Sequence, residues 1–433
     1  MSRPLPSTGA VTGILEAVGF FSDPDFATKR FTEYGDIFET SLIGQRLVFI
    51  RGHEAISDLL SQGDAVEGWW PESVRQLLGS QSLANRNGAE HKARRRVVGQ
   101  LFSTAALKRY TPGIVGLVEE LGQELLQETQ PIRLTDRMRR FAFRVIATTV
   151  LGLEGSDRDA LFRDFEIWTQ ALFSVPIAIP GTPFANALAA RRRLLDRLRD
   201  VLEQADQNRG GLDLLAGGLD EAGQPLTTDD LVEQLLLLLF AGYETTASSL
   251  SCLMRACLIE PQVEPWLREE LDGLEWPPKG DPTIAFDGIR SPRLQAVVDE
   301  VMRMTPPVGG FFRRTCRPIQ LADIRIPKDH VVQVALASSN RAGSSDLNVF
   351  RPQRHLDGLE KPTLLPFGGG ERVCLGKALA QLEIRLMVVG LLKSVQLSLA
   401  GDQNLDLQLI PSPSPKDGLM VVAKRYAPAD ARA

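Results

Sequence analysis

Residues 366–376, PFGGGERVCLG, constrain this chain more than any other stretch of its sequence. Three consecutive glycines allow the backbone to approach a flat or bulky partner closely. Cys374 stands at the start of a helical pattern that we predict to run from Cys374 to about Lys393. Free amides and the dipole at a helix N-terminus favour a thiolate over a thiol. We therefore expect Cys374 to act as a nucleophile or as a metal ligand.

The surroundings of the cysteine bear on the choice between these two uses. A cysteine nucleophile needs a base, usually histidine, and the eighteen residues before Cys374 contain none, although His355 or His330 could still approach in space. A thiolate ligand of haem iron needs close backbone approach, amide donors aimed at the sulfur and a cation for the haem propionates. The glycines, the helix start and Arg372 supply all three.

The segment resembles the haem-binding signature of the cytochrome P-450 family, FxxGxRxCxG. The matching positions are Phe367, Gly370, Arg372, Cys374 and Gly376. The resemblance implies that Cys374 ligates the iron of haem b and that Phe367, Arg372 and Gly376 form the cofactor-binding loop. The alternative is a glycine-rich loop with a buried structural cysteine.

A second motif is formed by Glu300 and Arg303, which share a helix face at i and i+3. Such a pair is by itself most often a solvated surface ion pair. The family has an ExxR pair before the cysteine, completed by an arginine between the two, and Arg354 matches that third position. The resemblance implies that the triad locks the cysteine loop. His355 departs from the aromatic residue common in the family, and we expect only a local change in packing.

A third motif, Ala241–Thr246, AGYETT, lies midway along the longest predicted helix, residues 228–258. The small Ala241 and Gly242 would let a ring or ligand approach the backbone, whereas Glu244 is awkward to bury and could equally point into solvent. The motif resembles the oxygen-activating segment of the family, [A/G]GxxT. By that resemblance Glu244 and Thr245 are catalytic, with Thr245 acting on the activated oxygen and Glu244 relaying protons.

A fourth motif opens a predicted basic helix from His91 to about Arg109. His91 and Arg95 share one face, and a solvated basic face is the plain interpretation of Arg94 and Arg96. By resemblance to the family, His91 and Arg95 bind a haem propionate. Arg313, after Pro306-Pro307, matches another propionate-binding arginine.

Two stretches indicate a branch of the family. Residues 70–79, WPESVRQLLG, and 306–313, PPVGGFFR, resemble segments of the retinoic acid hydroxylases of animals and their cyanobacterial relatives. The resemblance implies an elongated, apolar substrate above the haem, retinoid-like or apocarotenoid-like, roofed by residues 168–184. The expected substrate contacts, each of which is alternatively a core residue, are Trp70, Phe240, Val308 and Phe312.

The remaining pattern predicts a mainly α fold with a small β part, in a single P-450 domain spanning residues 1–433 with about 1–30 as an N-terminal lead-in. Residues 36–50 predict a hairpin turning at Gly44-Gln45.

A net charge of −5 without a basic face argues against nucleic-acid binding. The longest apolar run, Leu235 to Gly242, is far shorter than the ~20 residues of a membrane span. With no signal peptide recognisable, we expect a cytoplasmic protein without a membrane anchor.

The function expected from the resemblance is a haem-thiolate monooxygenase. The alternatives are a haem-thiolate isomerase or peroxide-rearranging enzyme, which has no need of a Glu-Thr proton relay, and a non-catalytic haem-thiolate sensor. No flavin or iron–sulfur motif is fused to the chain, so we expect an external ferredoxin or flavodoxin as electron donor. The basic residues expected to steer this acidic partner are Arg94, Arg95, Arg96, Arg372 and Lys377.

Overall fold

The computed structural model describes residues 3–9, 16, 19, 23, 26–42, 45–172, 174–204, 210–343, 345–357 and 365–427. Over these residues the chain is mainly helical with small sheets, as the sequence predicts. The α-helices are α1 Phe26–Tyr34, α2 His53–Ser61, α3 Glu72–Leu78, α4 Gly88–Gly99, α5 Thr104–Gln127, α6 Leu134–Thr149, α7 Gly155–Thr169, α8 Pro183–Glu203, α9 Thr228–Ile259, α10 Val263–Glu270, α11 Ile284–Gly288, α12 Pro292–Met304, α13 Leu336–Ser339, α14 Arg354–Asp357 and α15 Lys377–Ser394. The β-strands are β1 Ile37–Leu42, β2 Gln45–Ile50, β3 Val66–Gly68, β4 Ile132–Arg133, β5 Gly310–Thr315, β6 Ile319–Leu321, β7 Ile324–Ile326, β8 Val331–Ala335, β9 Val395–Leu399, β10 Leu407–Gln408, β11 Ser414–Pro415 and β12 Met420–Arg425.

One compact unit, called here the β-rich unit, comprises Met1–Trp70, Asp299–Cys374 and Leu409–Ser412. Its five-stranded sheet has the order β1-β2-β8-β5-β3. The predicted hairpin is present as the antiparallel β1–β2 pair, although Gly44 of its turn lies outside the described residues. Strand β2 also pairs in parallel with β8. Apolar side chains of the strands and of α2 fill the core beneath this sheet, among them Val48, Ile50, Leu59, Ile326 and Val334.

The second compact unit, called here the helical unit, comprises Pro71–Val298, Leu375–Gln408 and Pro413–Ala433. Its longest helix, α9, has 32 residues and so a length of about 48 Å. The predicted start of this helix at residue 228 is confirmed, and the Thr227 side chain caps it by accepting a hydrogen bond from the Asp230 amide at 3.1 Å. This helix is long and apolar enough to cross a membrane, but 67% of its most apolar window is buried in protein, as expected of a core helix.

Two predicted helix boundaries are wrong. The basic helix expected to reach Arg109 ends at Gly99, and α5 begins at Thr104 behind the capping residue Ser103. The sequence pattern also predicts a separate helix over residues 112–128, but Pro112 lies inside α5. A proline removes one intrahelical hydrogen bond, and the long buried face of α5 evidently outweighs that loss because most of its apolar side chains are in the core.

Candidate cofactor and catalytic site

The cysteine loop is closed by a backbone hydrogen bond from the Cys374 amide to the Phe367 carbonyl, 2.8 Å long. Because this bond holds Cys374 in the loop, the last helix begins at Lys377 rather than at Cys374. Gly368 and Gly370 have φ of +69° and +67°, a conformation that favours glycine. Cys374 is exposed, which contradicts the buried structural cysteine considered from the sequence.

The middle glycine of this loop has a different role from the one expected. A Cβ on Gly369 would lie 2.7 Å from Cδ1 of Leu60, a residue of α2. The absent side chain therefore makes room for α2 within the β-rich unit. Glycine is required at position 369 by the packing of Leu60, and not by the approach of a flat partner.

Two arginines of the β-rich unit meet at Gly68 of β3. Gly68 pairs with Arg313 of β5, and a Cβ on Gly68 would overlap the guanidinium of Arg372. Burial, together with the nearby Arg372 charge, lowers the pKa of Arg313 to about 10. Among the described residues no carboxylate forms an ion pair with Arg313. Two adjacent guanidiniums, one of them largely desolvated, form a site for an anion, and the propionates of haem b fit this requirement.

The ion triad lies in the β-rich unit and is fully buried. Arg303 donates to both oxygens of Glu300, at 2.8 and 2.9 Å, and Arg354 donates to Oε1 at 3.0 Å. The two arginines also bond to backbone carbonyls of the segment before Arg354: Arg303 to Asn340 and Leu347, and Arg354 to Asp346 and Val349. The triad thus gathers the chain between β8 and α14 around one carboxylate.

His355 is a fourth partner that sequence reasoning missed. Its Nε2 lies 2.8 Å from Oε2 of Glu300, and the Arg351 amide donates to Oε1 at 2.8 Å. Burial opposes the charge of Glu300, but the hydrogen bonds from Arg303, His355 and Arg351 lower the pKa of Glu300 to about 2. The expectation of a mere packing change at His355 is therefore wrong, because the imidazole belongs to the charged cluster.

In the helical unit, Glu244 and Thr245 lie on α9 one turn beyond Phe240. The neighbouring Tyr243 is held in an aromatic cluster, 5.1 Å from Phe165 between ring centroids. Glu244 does not point into solvent: its side chain is 14% exposed, with one carboxylate oxygen 3.8 Å from Arg139 of α6. Burial raises the pKa of Glu244, and the Arg139 charge offsets this only in part. The Thr245 hydroxyl donates to the Ala241 carbonyl at 2.6 Å.

The glycine beside this pair packs against protein. A Cβ on Gly242 would lie 2.6 Å from Cγ1 of Ile146, so Gly242 allows α6 and α9 to approach closely. The sequence interpretation, which opened the backbone at Gly242 to a ring or ligand, is wrong at this residue. Ala241 is exposed.

The remaining cationic residues lie on α4 of the helical unit. His91 is buried and Arg95 is half-buried. Arg94 is also buried, with Asp230 2.8 Å away and Glu221 as a second partner. Arg94 therefore does not belong to a solvated basic face, and its inclusion in the surface patch is wrong.

The apolar residues expected to contact substrate are partly accessible. In the β-rich unit, Trp70 and Phe312 are half-buried, and Val308 is 42% exposed. In the helical unit, Phe240 is half-buried and packs edge-on against Trp168 at 5.9 Å between centroids. Trp168, one of the expected roof residues, is fully buried.

Comparison with known proteins agrees with this arrangement. A family model described as cytochrome P-450 matches residues 5–426. A putative cytochrome P-450 120 of Synechocystis sp. is 34% identical over 421 residues, covering 94% of this chain and 93% of its own. Cytochrome P-450 26B1 of Mus musculus is 31% identical over 419 residues, covering 92% of this chain and 81% of its own.

Solved structures give the same result. Retinoic acid-bound cyanobacterial CYP120A1 has a TM-score of 0.89 at 32% identity, covering 98% of this chain and 100% of its own. A second cytochrome P-450, CYP102L1, has a TM-score of 0.85 at 19% identity and supports the fold alone. The resemblance found in the sequence is thus confirmed. The chain belongs to the cytochrome P-450 family and is a monooxygenase with haem b as its cofactor.

Proposed function

We propose that this monooxygenase hydroxylates an elongated apolar substrate of the retinoid class. The observation that carries the proposal is the 32% identity to a structure with retinoic acid bound, over 98% of this chain. The partly accessible apolar side chains of Trp70, Phe240, Val308 and Phe312 support it, because such a substrate is bound mainly by apolar contact. Animal relatives among the retinoic acid hydroxylases share this branch.

In this proposal the cofactor is held by the residues that match the motifs of the family. Cys374 would ligate the iron, within a loop completed by Phe367 and Gly376. Arg313, Arg372, His91 and Arg95 would hold the propionates. The bound haem supplies the activation of dioxygen, which a thiolate ligand favours.

The chain's own chemistry is proton delivery and rigid support. The half-buried Glu244 carboxyl holds a proton more readily than an exposed one, because burial raises its pKa. Thr245 would hand that proton on through its hydroxyl, exchanging its bond to the Ala241 carbonyl for one to the reacting oxygen. Glu300, Arg303 and Arg354 would hold the chain that precedes the cysteine loop.

We also infer that an external ferredoxin or flavodoxin donates the electrons. Four cations could steer this partner, since Arg94 is buried and does not count among them: the exposed Arg96 and Lys377 and the half-buried Arg95 and Arg372.

The burial of α9 in protein supports a cytoplasmic location. The family match across residues 5–426 supports a single P-450 domain.

Absorption spectroscopy tests the cofactor ligand. We expect the reduced, CO-treated protein to show the red-shifted Soret band of thiolate-ligated haem, and Cys374→Ala to abolish it. Cys316→Ala is the matched control, since Cys316 is the other exposed cysteine in the described chain and lies outside the signature. Loss of the band in the control variant alone would contradict the assignment of Cys374.

The substrate is tested by titrating retinoic acid into the ferric protein, followed by turnover with ferredoxin, its reductase and NAD(P)H. We expect a change in spin state and a hydroxylated product. If the protein shows the thiolate spectrum but neither response, the monooxygenase assignment stands and the proposal of a retinoid substrate is refuted.

A further inference from the structure

The loop that follows α3 is held against the start of α9 by two adjacent side chains. The Gln81 amide donates to Oε2 of Glu233 at 2.6 Å, and the Leu83 amide donates to Oε1 of Gln234 at 2.8 Å. Both amides belong to residues 79–87, which connect α3 to α4 and contain one short 3₁₀ turn, Leu83–Asn85. Backbone donors of a loop are thus satisfied by a helix instead of by water.

Gln234 uses every part of its amide group. While its oxygen accepts from Leu83, its Nε2 donates to the Gln81 carbonyl at 2.7 Å and to Oδ1 of Asp230 at 2.8 Å. The residue is 1% exposed. Asp230 is itself held by the buried Arg94. Gln234 is therefore fixed in one orientation and pairs with the loop backbone as a neighbouring strand would.

Glu233 extends the contact to a third element. Its carboxylate forms an ion pair with Arg191 of α8, whose Nε donates to the Leu77 carbonyl at the end of α3, 2.9 Å away. Gly79 lies at the centre, with φ of +93°, and a Cβ there would overlap both Arg191 and Glu233. The segment enters this position only because residue 79 is glycine.

The clamp is defined as Glu233, Gln234, Arg191 and Gly79. Two of these residues, Glu233 and Gln234, lie on α9, the helix that carries the catalytic pair. From Gln234 to Phe240 is about 9 Å along α9, and to Glu244 about 15 Å. A continuous helix transmits position over this distance with little bending. The place of the α3 segment is therefore set relative to Phe240 and Glu244 by the same rigid element.

We propose that Glu233 and Gln234 are positioning residues for substrate, which fix the α3 segment at a set distance from the catalytic pair on α9. This inference rests on the proposed function, because it takes α3 and Phe240 to border the substrate site. The clamp holds the α3 segment in its binding geometry before substrate arrives. This lowers the conformational entropy that is lost when substrate binds. Neither residue touches the cofactor or the reacting atoms in this role.

Hydrogen exchange of the haem-loaded protein tests the clamp itself. In Gln234→Leu and Glu233→Ala we expect the amides of Leu83 and Gln81, respectively, to exchange at least about tenfold faster than in wild type, because each loses its acceptor. Asp229→Ala is the matched control, because Asp229 lies one turn before Glu233 on α9 but is 72% exposed and pairs with Arg199. Unchanged exchange in both clamp variants would overturn the proposal.

Ligand titration tests the positioning role. We use retinoic acid and 4-phenylimidazole, an apolar ligand of haem iron, with the ferric protein. Both dissociation constants are expected to rise about tenfold in the two clamp variants and to stay within about twofold in Asp229→Ala. Glu233→Gln, which keeps an acceptor for Gln81, should lie between Glu233→Ala and wild type. The CO spectrum should match that of wild type throughout.

The outcomes separate this inference from the proposed function. Faster exchange with unchanged dissociation constants would make the clamp a structural contact only and overturn the positioning role. If wild type fails to respond to retinoic acid, the retinoid class is refuted. Weaker binding of 4-phenylimidazole in the clamp variants would in that case still support the clamp.

Discussion

Two carboxyls on two helices, Glu300 on α12 and Glu244 on α9, have pKa values shifted in opposite directions. Burial penalises the charged form of both. Glu300 accepts hydrogen bonds from Arg303, Arg354, His355 and the Arg351 amide, and its pKa falls to about 2. Among the described residues Glu244 has one ion-pair partner, Arg139, at 3.8 Å, and its pKa rises because burial outweighs that charge. One region is built to keep a charge and the other to exchange a proton.

Glu383 on α15 shows what burial does alone. It is 1% exposed, and desolvation is the cause that raises its pKa well above the ordinary value. Glu383, Glu244 and Glu300 thus form a series with increasing numbers of positively charged and hydrogen-bonding partners. The series teaches that the donors, more than the depth of burial, decide the protonation state of a carboxyl in this protein.

The largest effect should come from removing the carboxylate of the triad. Glu300→Ala leaves Arg303 and Arg354 buried without their shared partner, and we expect a loss of about 3–5 kcal/mol in unfolding free energy, with loss of haem incorporation. Urea unfolding and the CO spectrum measure these. Asp229→Ala, which breaks an exposed ion pair, should cost less than about 1 kcal/mol. Equal stability of the two variants would show that the triad is not a lock.

The next effect concerns the proton-exchanging carboxyl. Glu244→Gln should lower product formation at saturating substrate about 10- to 100-fold, with the substrate dissociation constant unchanged, because only proton delivery is removed. The control is Glu166→Gln on α7, another carboxyl whose pKa is raised by burial but which has no assigned catalytic role. An equal loss of turnover in both variants would contradict a specific relay at Glu244.

A smaller effect should follow from removing one donor of the triad. His355→Phe, which restores the aromatic residue common in the family, should cost about 1–2 kcal/mol. A pKa of Glu300 lowered from 4.5 to about 2 contributes about 3 kcal/mol of stability. That stability is complete above about pH 4.5 and is lost as the pH falls towards 2. In the variant the folded-state pKa of Glu300 should be higher, so the loss should still begin near pH 4.5 but be smaller and end at a higher pH. Urea unfolding between pH 5 and 2 measures this, with the exposed His53→Phe as control.

The smallest effect tests Arg139, the cation that forms an ion pair with Glu244. Arg139→Gln removes the charge that opposes the raised pKa of Glu244, so this pKa should rise further. We expect the pH midpoint of turnover that reports Glu244 to move upwards by up to about one unit. Arg140→Gln, exposed on the same helix, should leave the midpoint in place. A downward shift in Arg139→Gln would refute the sign of this interaction.

Local sequence pattern was sufficient for some of these features. The spacing of Glu300 and Arg303 predicts a shared helix face, and the signature around Cys374 predicts the loop, because both depend on nearby residues. His355 and Arg139 could not be found in this way. Each reaches its carboxylate through tertiary contact, across 55 residues in one case and 105 in the other.

Burial was the other property that the pattern did not reveal. Arg94 and Arg96 are two residues apart in one basic helix, yet Arg94 is buried against Asp230 and Arg96 is exposed. Gly242 and Gly369 suggested approach of a ligand, but each accommodates an apolar side chain of the protein. Which neighbour fills the space beside a residue is decided by packing between elements that are distant in sequence.

The parallel pairing of β2 with β8 sets a minimum time for folding. Leu47 and its partner Val331 are 284 residues apart. At ~5–20 residues per second, synthesis of the intervening chain takes roughly 15–60 s. During that interval the β1–β2 hairpin has an unpaired edge and no partner for its apolar face, which is the condition under which strands aggregate. We therefore expect the nascent chain to need a chaperone until residue 335 has left the ribosome.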